Sequence, residues 1–262
     1  MSFTGKSPAN TYKDITYVDN SNSGVTTTIK RIKTGEGSDT SALISDRALK
    51  VLPSTDNASA FEVNNASNTN KFRVDTTNNY VKALGHQVNT QYANFGVASG
   101  IASAYAANTH YPLAFSGNNQ SATLQDNMTL GTGTDPATSF TTADGANTDA
   151  SLVVPVLWFV PDNITIDQVV SFEGCDNATG GTTRMHLMSY DLTSGSTSCL
   201  TNGTLIAHNS DVTNAGSEQV YQSTWTVDSA NVSGDKVLIA TFLTTDVTGD
   251  YSVSVNVKYH LR

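Results

Sequence analysis

The chain has 262 residues, 38% of them hydrophobic and only 14% charged, with a formal net charge of −9. That is more than one ordinary core requires and too little for three full domains, and its apolar fraction lies above the disordered range. Residues 1–85 hold ten Lys/Arg against eight Asp/Glu while residues 86–262 hold four against fifteen, a distribution that repels phosphate and speaks against nucleic-acid binding.

With Gly, Ser, Thr, Asn and Asp abundant, the composition predicts short strands joined by polar turns rather than amphipathic helices. Residues 1–45 read as an extended arm. Turn signals stand at Asn20-Ser21-Asn22-Ser23-Gly24 and Gly35-Glu36-Gly37, with a β-branched run over residues 25–32 between them. Ordering such an arm costs about 1–2 kcal/mol of backbone entropy per residue, which only a partner surface can offset. Ile15, Tyr17, Val18 and Tyr12 are its apolar contact candidates, and Lys6 and Lys13 add positive charge.

Residues 46–90 contain an internal echo. Phe61-Glu62-Val63 and Phe72-Arg73-Val74 alternate in the manner of half-buried strands, Leu49-Lys50-Val51 precedes them with the same spacing, and Tyr80-Val81 follows. A segment of this size struggles to close a core alone, so Leu49, Val51, Phe61, Val63, Phe72, Val74 and Tyr80 are candidate subunit-interface residues in a β-rich shaft, with a homotrimer expected. The alternative is a small meander folded onto the C-terminal domain. Residues 91–107 read as a linker with a short helix, because Val97, Ile101 and Tyr105 recur every four residues.

Residues 108–262 read as an antiparallel β-sandwich, most simply a jelly roll. Strands are expected at 152–160, 164–172, 185–190, 205–208, 220–227, 236–243 and 251–261, with loops at 131–150 and 176–181 free to form a variable surface. In the last strand Tyr251, Val253, Val255, Val257, Tyr259 and Leu261 share one face. Tyr221 and Trp225 share a face of the 220–227 strand, either lining the core or, if exposed, offering a stacking platform for a sugar ring.

Signals for catalysis are wanting. The sequence lacks G-x-S-x-G, H-E-x-x-H, C-x-x-C and EF-hand patterns, and Gly5-Lys6-Ser7 stands too near the start to follow a phosphate-cradling strand. His86, His110, His186, His208 and His260 are scattered without metal-ligand spacing, and His186 reads as a strand histidine facing solvent. No cofactor is expected. Cys175 and Cys199 could pair, but in a reducing compartment isolated cysteines act more often as small apolar residues. The opening residues lack a secretory h-region, and no apolar run is long enough to span a bilayer, so membrane insertion is not expected.

Lys6-Ser7-Pro8, Thr11-Tyr12-Lys13-Asp14, Asn20 through Val25, Gly35-Glu36-Gly37 with Ser41-Ala42-Leu43, and Phe72 through Asn78 together resemble the N-terminal part of fibre and decoration proteins from marine tailed bacteriophages. The likeness spans roughly the first third of the chain. It implies an all-β virion component assembled in a host cytoplasm, commonly trimeric, bound through its N-terminus to a capsid or tail-adaptor protein and presenting a C-terminal head. It supplies no catalytic residues. A non-catalytic carbohydrate-binding module is the alternative, and a host-surface glycan the corresponding ligand.

Overall fold

A computed structural model describes residues 15–21, 23–100, 106–115, 128–143, 148–176, 180–215, 218–247 and 250–262. The chain divides into two compact units, Met1–Val88 and Asn89–Arg262, and their described residues are nearly all strand and turn.

The N-terminal unit holds two four-stranded antiparallel sheets. The first runs in the order β1 (Thr16–Val18), β2 (Lys30–Thr34), β3 (Asp39–Ile44), β4 (Leu49–Val51), and the second in the order β5 (Phe61–Asn64), β6 (Asn70–Asp75), β7 (Tyr80–Ala83), β8 (His86–Gln87). Side chains at the turns fix these registers. Ser45 Oγ accepts from the backbone of Arg47 and Ala48 at 3.2 and 3.0 Å, closing the β3–β4 turn. At the β6–β7 turn the Asp75 carboxylate takes the Asn78 backbone N–H at 2.8 Å and its Nδ2 at 2.9 Å. Asn79 then adopts a φ of 57°, a conformation Asn tolerates better than most residues.

The C-terminal unit is a jelly roll. After β9 (Thr90–Gly100) come β10 (Tyr111–Pro112), β11 (Ala114–Phe115), β12 (Trp158–Val160), β13 (Ile164–Asp176), β14 (Thr182–Leu192), β15 (Leu200–His208), β16 (Val212–Thr213), β17 (Gln219–Thr224), β18 (Thr226–Val227), β19 (Asn231–Val232), β20 (Lys236–Thr244) and β21 (Asp250–Leu261). One sheet is ordered β9-β21-β13-β17 and the other β10-β20-β14-β15. Taking those eight strands in chain order as first to eighth, the sheets read 1-8-3-6 and 2-7-4-5, the interleaving that defines the jelly roll. Phe95, Val97, Val169, Val253, Val255 and Val257 from the first sheet pack against Met185, Leu187, Leu238, Ala240 and Phe242 from the second.

Three sequence expectations change here. Residues 91–100 are not a linker: they are most of β9, paired with β21 along its length, so the head begins at Asn89 rather than at 108. The spacing of Val97, Ile101 and Tyr105 suggested a helix, yet Ala93, Phe95 and Val97 are the inward face of a strand. Ile101 and Tyr105 lie outside the described residues. Residues 152–160 are not one strand either. A short helix α1 (Ala150–Val153) and a 3₁₀ turn (Val154–Val156) precede β12, because Pro155 offers no N–H to a ladder and suits the first turn of a helix. Finally, the 220–227 strand breaks at Trp225, where the chain crosses from β17 in one sheet to β18 in the other.

The jelly roll also carries a third layer. Alternate residues of β14 and β20, among them Met188, Tyr190, Val237 and Ile239, face away from the main core and are covered by Met128, Leu130, Phe140, Val153 and Val156. Part of the 131–150 segment, expected as free loop, therefore closes a second core. Gly203 admits it: a Cβ there would stand 2.7 Å from Thr138 Cα and from Tyr190 Cε1.

Candidate self-association site

The two units differ sharply in how they treat apolar side chains. The jelly roll buries a full core, whereas among the described residues of the N-terminal unit no hydrophobic side chain is buried, and only Ser45 and Asp75 are. The register explains where its apolar residues go. In the second small sheet Phe61 lies opposite Val74 and Val74 opposite Val81, while Val63 faces Phe72 and Phe72 faces Ala83. Phe61, Val63, Phe72, Val74, Val81 and Ala83 therefore form one continuous apolar face. Phe61 remains 41% and Val63 48% exposed.

The opposite face is polar. Glu62 pairs with Arg73 and Arg73 with Lys82 across the strands. Tyr80 belongs to this side: its ring lies beneath Arg73 and Lys82, and Arg73 donates to its hydroxyl at 2.9 Å. Tyr80, expected among the interface residues, thus lies on the face opposite the apolar one, and Val81 stands on the apolar face. The Asp75-to-Tyr80 turn has an even number of residues between paired positions, which puts Tyr80 on the side of Asp75 and not of Val74.

The first small sheet repeats the pattern. Val18 opposite Ile32, Ala42 opposite Val51 and Ile44 opposite Leu49 share a face, with Leu49 70% exposed. Tyr17, Arg31, Lys33 and Lys50 occupy the other face, where Lys33 pairs with Asp19 at 3.0 Å. Of the expected attachment residues, Val18 lies on the apolar face, Tyr17 on the charged one, and Ile15 is half-buried just before β1. Lys6, Tyr12 and Lys13 lie outside the described residues.

The paired glycan residues do not form a platform. Trp225 is buried in the main core, its Nε1 donating to Ser171 Oγ at 2.9 Å. Tyr221 is half-buried; its hydroxyl accepts the Ala215 N–H at 3.1 Å and donates to Gln219 Oε1. Cys175 is buried, Cys199 is half-buried, and the two lie in separate clusters with no disulfide between them.

His186 was expected at the surface and is only 2% exposed, because the third layer covers its face of β14. His110 and His208 converge on it, which no sequence spacing announced. Among the described residues no group of three or more His, Cys, Asp or Glu side chains is arranged to hold a metal ion. No described helix is long and apolar enough to cross a membrane.

No protein family matches the chain, and no curated protein does. Among solved structures, a chain of the T13 IBDV viral particle is similar at 8% identity, over 69% of this chain and 37% of that one, with a TM-score of 0.21. The chain thus spans little more than a third of that protein. At such a score the likeness bears on neither fold nor role.

Proposed function

We propose that this chain is a non-catalytic structural component of a virion, a tail fibre or head decoration protein that self-associates as a homotrimer through its N-terminal unit. The observation that carries the reading is the pair of apolar sheet faces in that unit, whose described residues bury no hydrophobic side chain while the jelly roll closes a core. Two further copies of the same chain are the occupants. Lys30, opposite Ile44, is the one charged side chain among the paired positions of the first face, and the second face has none; the phenylalanines bring about 150–250 Å² of buriable surface each, and a closed ring satisfies every copy without an open filament.

The jelly roll is compatible with this role, since the architecture is common in viral capsid and lectin domains alike. The N-terminal residues serve as the attachment to a capsid or tail-adaptor protein, and the jelly roll as the outward module. Burial of Trp225 weakens the carbohydrate-binding alternative built on Tyr221 and Trp225, because stacking on a sugar would require pulling the indole from the core and breaking its bond to Ser171.

The test is deletion of residues 2–45 followed by recovery of assembled particles. Loss of the protein from particles, with the C-terminal unit still unfolding cooperatively, is the expected result. Normal incorporation overturns the attachment role, and absence of the full-length chain from every particle preparation overturns the virion role.

A further inference from the structure

Three of the chain's five histidines converge on the face of β14 that the third layer covers, with His208 at its exposed margin. His186 on β14 stands between His110, which precedes β10, and His208 on β15, with ring centroids 5.0 Å and 6.3 Å away. His110 and His186 are buried. Both reach for the covering segment: His110 Nε2 lies 3.0 Å from the Gly133 carbonyl, and His186 Nε2 lies 3.4 Å from Asp135 Oδ1. Backbone bonds from His110 N–H to the Gly131 carbonyl, 2.9 Å, and from Leu130 N–H to the His110 carbonyl, 2.8 Å, strengthen the same clasp.

The surroundings suit neutral rings only. A ring that donates from Nε2 to a carbonyl has a bare Nδ1 when neutral, and the Nδ1 atoms of both His110 and His186 are buried without a partner. Protonating either would create a buried N–H with no acceptor. The charges facing the cluster come from every side. On β14 itself stands Arg184, held by Asp211 beyond β15 through two bonds of 2.7 and 2.6 Å. From β15 comes His208, paired at 2.8 Å with Asp228. From β20 comes uncharged Thr241, opposite His186 and with its hydroxyl unpartnered. From the covering segment comes Asp135, whose carboxylate is 59% exposed and so a weak counter-charge.

We propose that the buried pair His110 and His186, flanked by His208, is an acid-sensitive latch, which when neutral holds residues 128–143 over the β14–β20 face and on proton uptake by that pair releases the segment while the two sheets stay together. Burial first, then the neighbouring His110, His208 and Arg184, depress His186 to about 3. Burial likewise lowers His110. In a released segment the rings return toward the ordinary 6.5. Release therefore takes up protons and is favoured progressively as pH falls from about 6.5 toward 3. The clasp at the other end does not titrate in this range: Tyr190 donates to the Ala137 carbonyl at 2.8 Å and the Gly203 N–H to the Thr138 carbonyl at 2.8 Å. Opening would uncover Met188 and Ile239 beneath Met128, Leu130 and Phe140.

Hydrogen exchange of the full chain between pH 7 and pH 4, corrected for intrinsic exchange rates, tests the latch. Protection of amides 130–137 is expected to fall at least tenfold across that range while amides 251–257 of β21 keep theirs. His186→Gln should flatten the pH dependence of the 130–137 segment, and His260→Gln, at a ring paired with Asp167 on the other sheet, should leave it intact. Should His186→Gln not fold, His110→Gln serves the same comparison. Constant protection of 130–137 in the native chain, simultaneous loss from β21, or an unaltered pH profile in the glutamine variant would overturn the proposal.

Discussion

Phe61 and Phe72, eleven positions apart in sequence, meet edge to face with ring centroids 6.2 Å apart and planes at 72°. They are diagonal neighbours on adjacent strands, and their contact is the centre of an apolar face that the described residues of the same unit leave partly open. An edge-to-face pair of this kind contributes about 0.5–1.5 kcal/mol beyond area burial. A second layer from another copy would bury the rest of both rings.

Substitution at that face should therefore act on assembly and not on the head. Phe61→Asp with Val63→Asp is expected to reduce the sedimenting mass to that of one chain at micromolar concentration. The thermal transition of the C-terminal unit should move by less than about 2 °C, because none of its residues is touched. Tyr80→Ala, on the opposite face, should leave the mass unchanged.

Residues 89–262 should fold alone, whereas a fragment starting at 108 should not. β9 pairs along β21 and places Phe95, fully buried, opposite Val255, also fully buried. A chain cut at 108 loses this strand and exposes an edge of the sheet. Circular dichroism melts of the two fragments check it: a cooperative transition is expected for the longer and none for the shorter. In the intact chain Phe95→Ala should cost about 3–5 kcal/mol.

Glu173 should be a site where stability rises on neutralisation. It is buried on β13, accepts from Thr183 Oγ1 at 2.6 Å and Asn214 Nδ2 at 3.1 Å, and burial still raises its pKa above the ordinary 4.5. A folded-state value above the unfolded one means a contribution fully present below 4.5 and lost as pH rises through the folded value. Its trend is thus opposite to that of the buried histidines. Glu173→Gln is expected to add about 1 kcal/mol, or about 2–4 °C, at pH 7.5 and little at pH 4, the new amide donating to the unpartnered Asn214 Oδ1. An unchanged melting temperature at pH 7.5 would show that Thr183 and Asn214 hold the carboxylate without net cost.

Gly203→Ala should loosen the third layer. The new methyl would meet the Thr138 backbone and the Tyr190 ring at 2.7 Å, and the backbone contact has no flexible end to yield. A loss of about 1–3 kcal/mol is expected, read by thermal denaturation, with exchange protection falling first near residues 137–140.

Alternation carried most of what the sequence disclosed. The β21 pattern from Tyr251 to Leu261 folds as read, since a strand between two neighbours with one face inward must alternate. The echo around Phe61 and Phe72 likewise announced an open apolar face, though not that Tyr80 turns to the charged side. Around Val97 two periodicities compete, and the two-residue one prevails. Val97, Ile101 and Tyr105 suggested a helical stripe, while Ala93, Phe95 and Val97 marked the strand. Gly96, on the same strand, sits where a Cβ would lie 2.7 Å from the Val253 carbonyl. The histidine cluster was not legible at all. His110, His186 and His208 come from three separate elements, and only the jelly-roll register with its covering layer brings them together.

The central claim is that the N-terminal sheets are completed by other copies of the chain. Light scattering on the eluting full-length protein at micromolar concentration measures this directly, against a single-chain mass of 27.7 kDa. A mass three times that value is predicted, falling to the single-chain value in the Phe61→Asp, Val63→Asp variant. A single-chain mass for the native protein, or a dimer, would contradict the account.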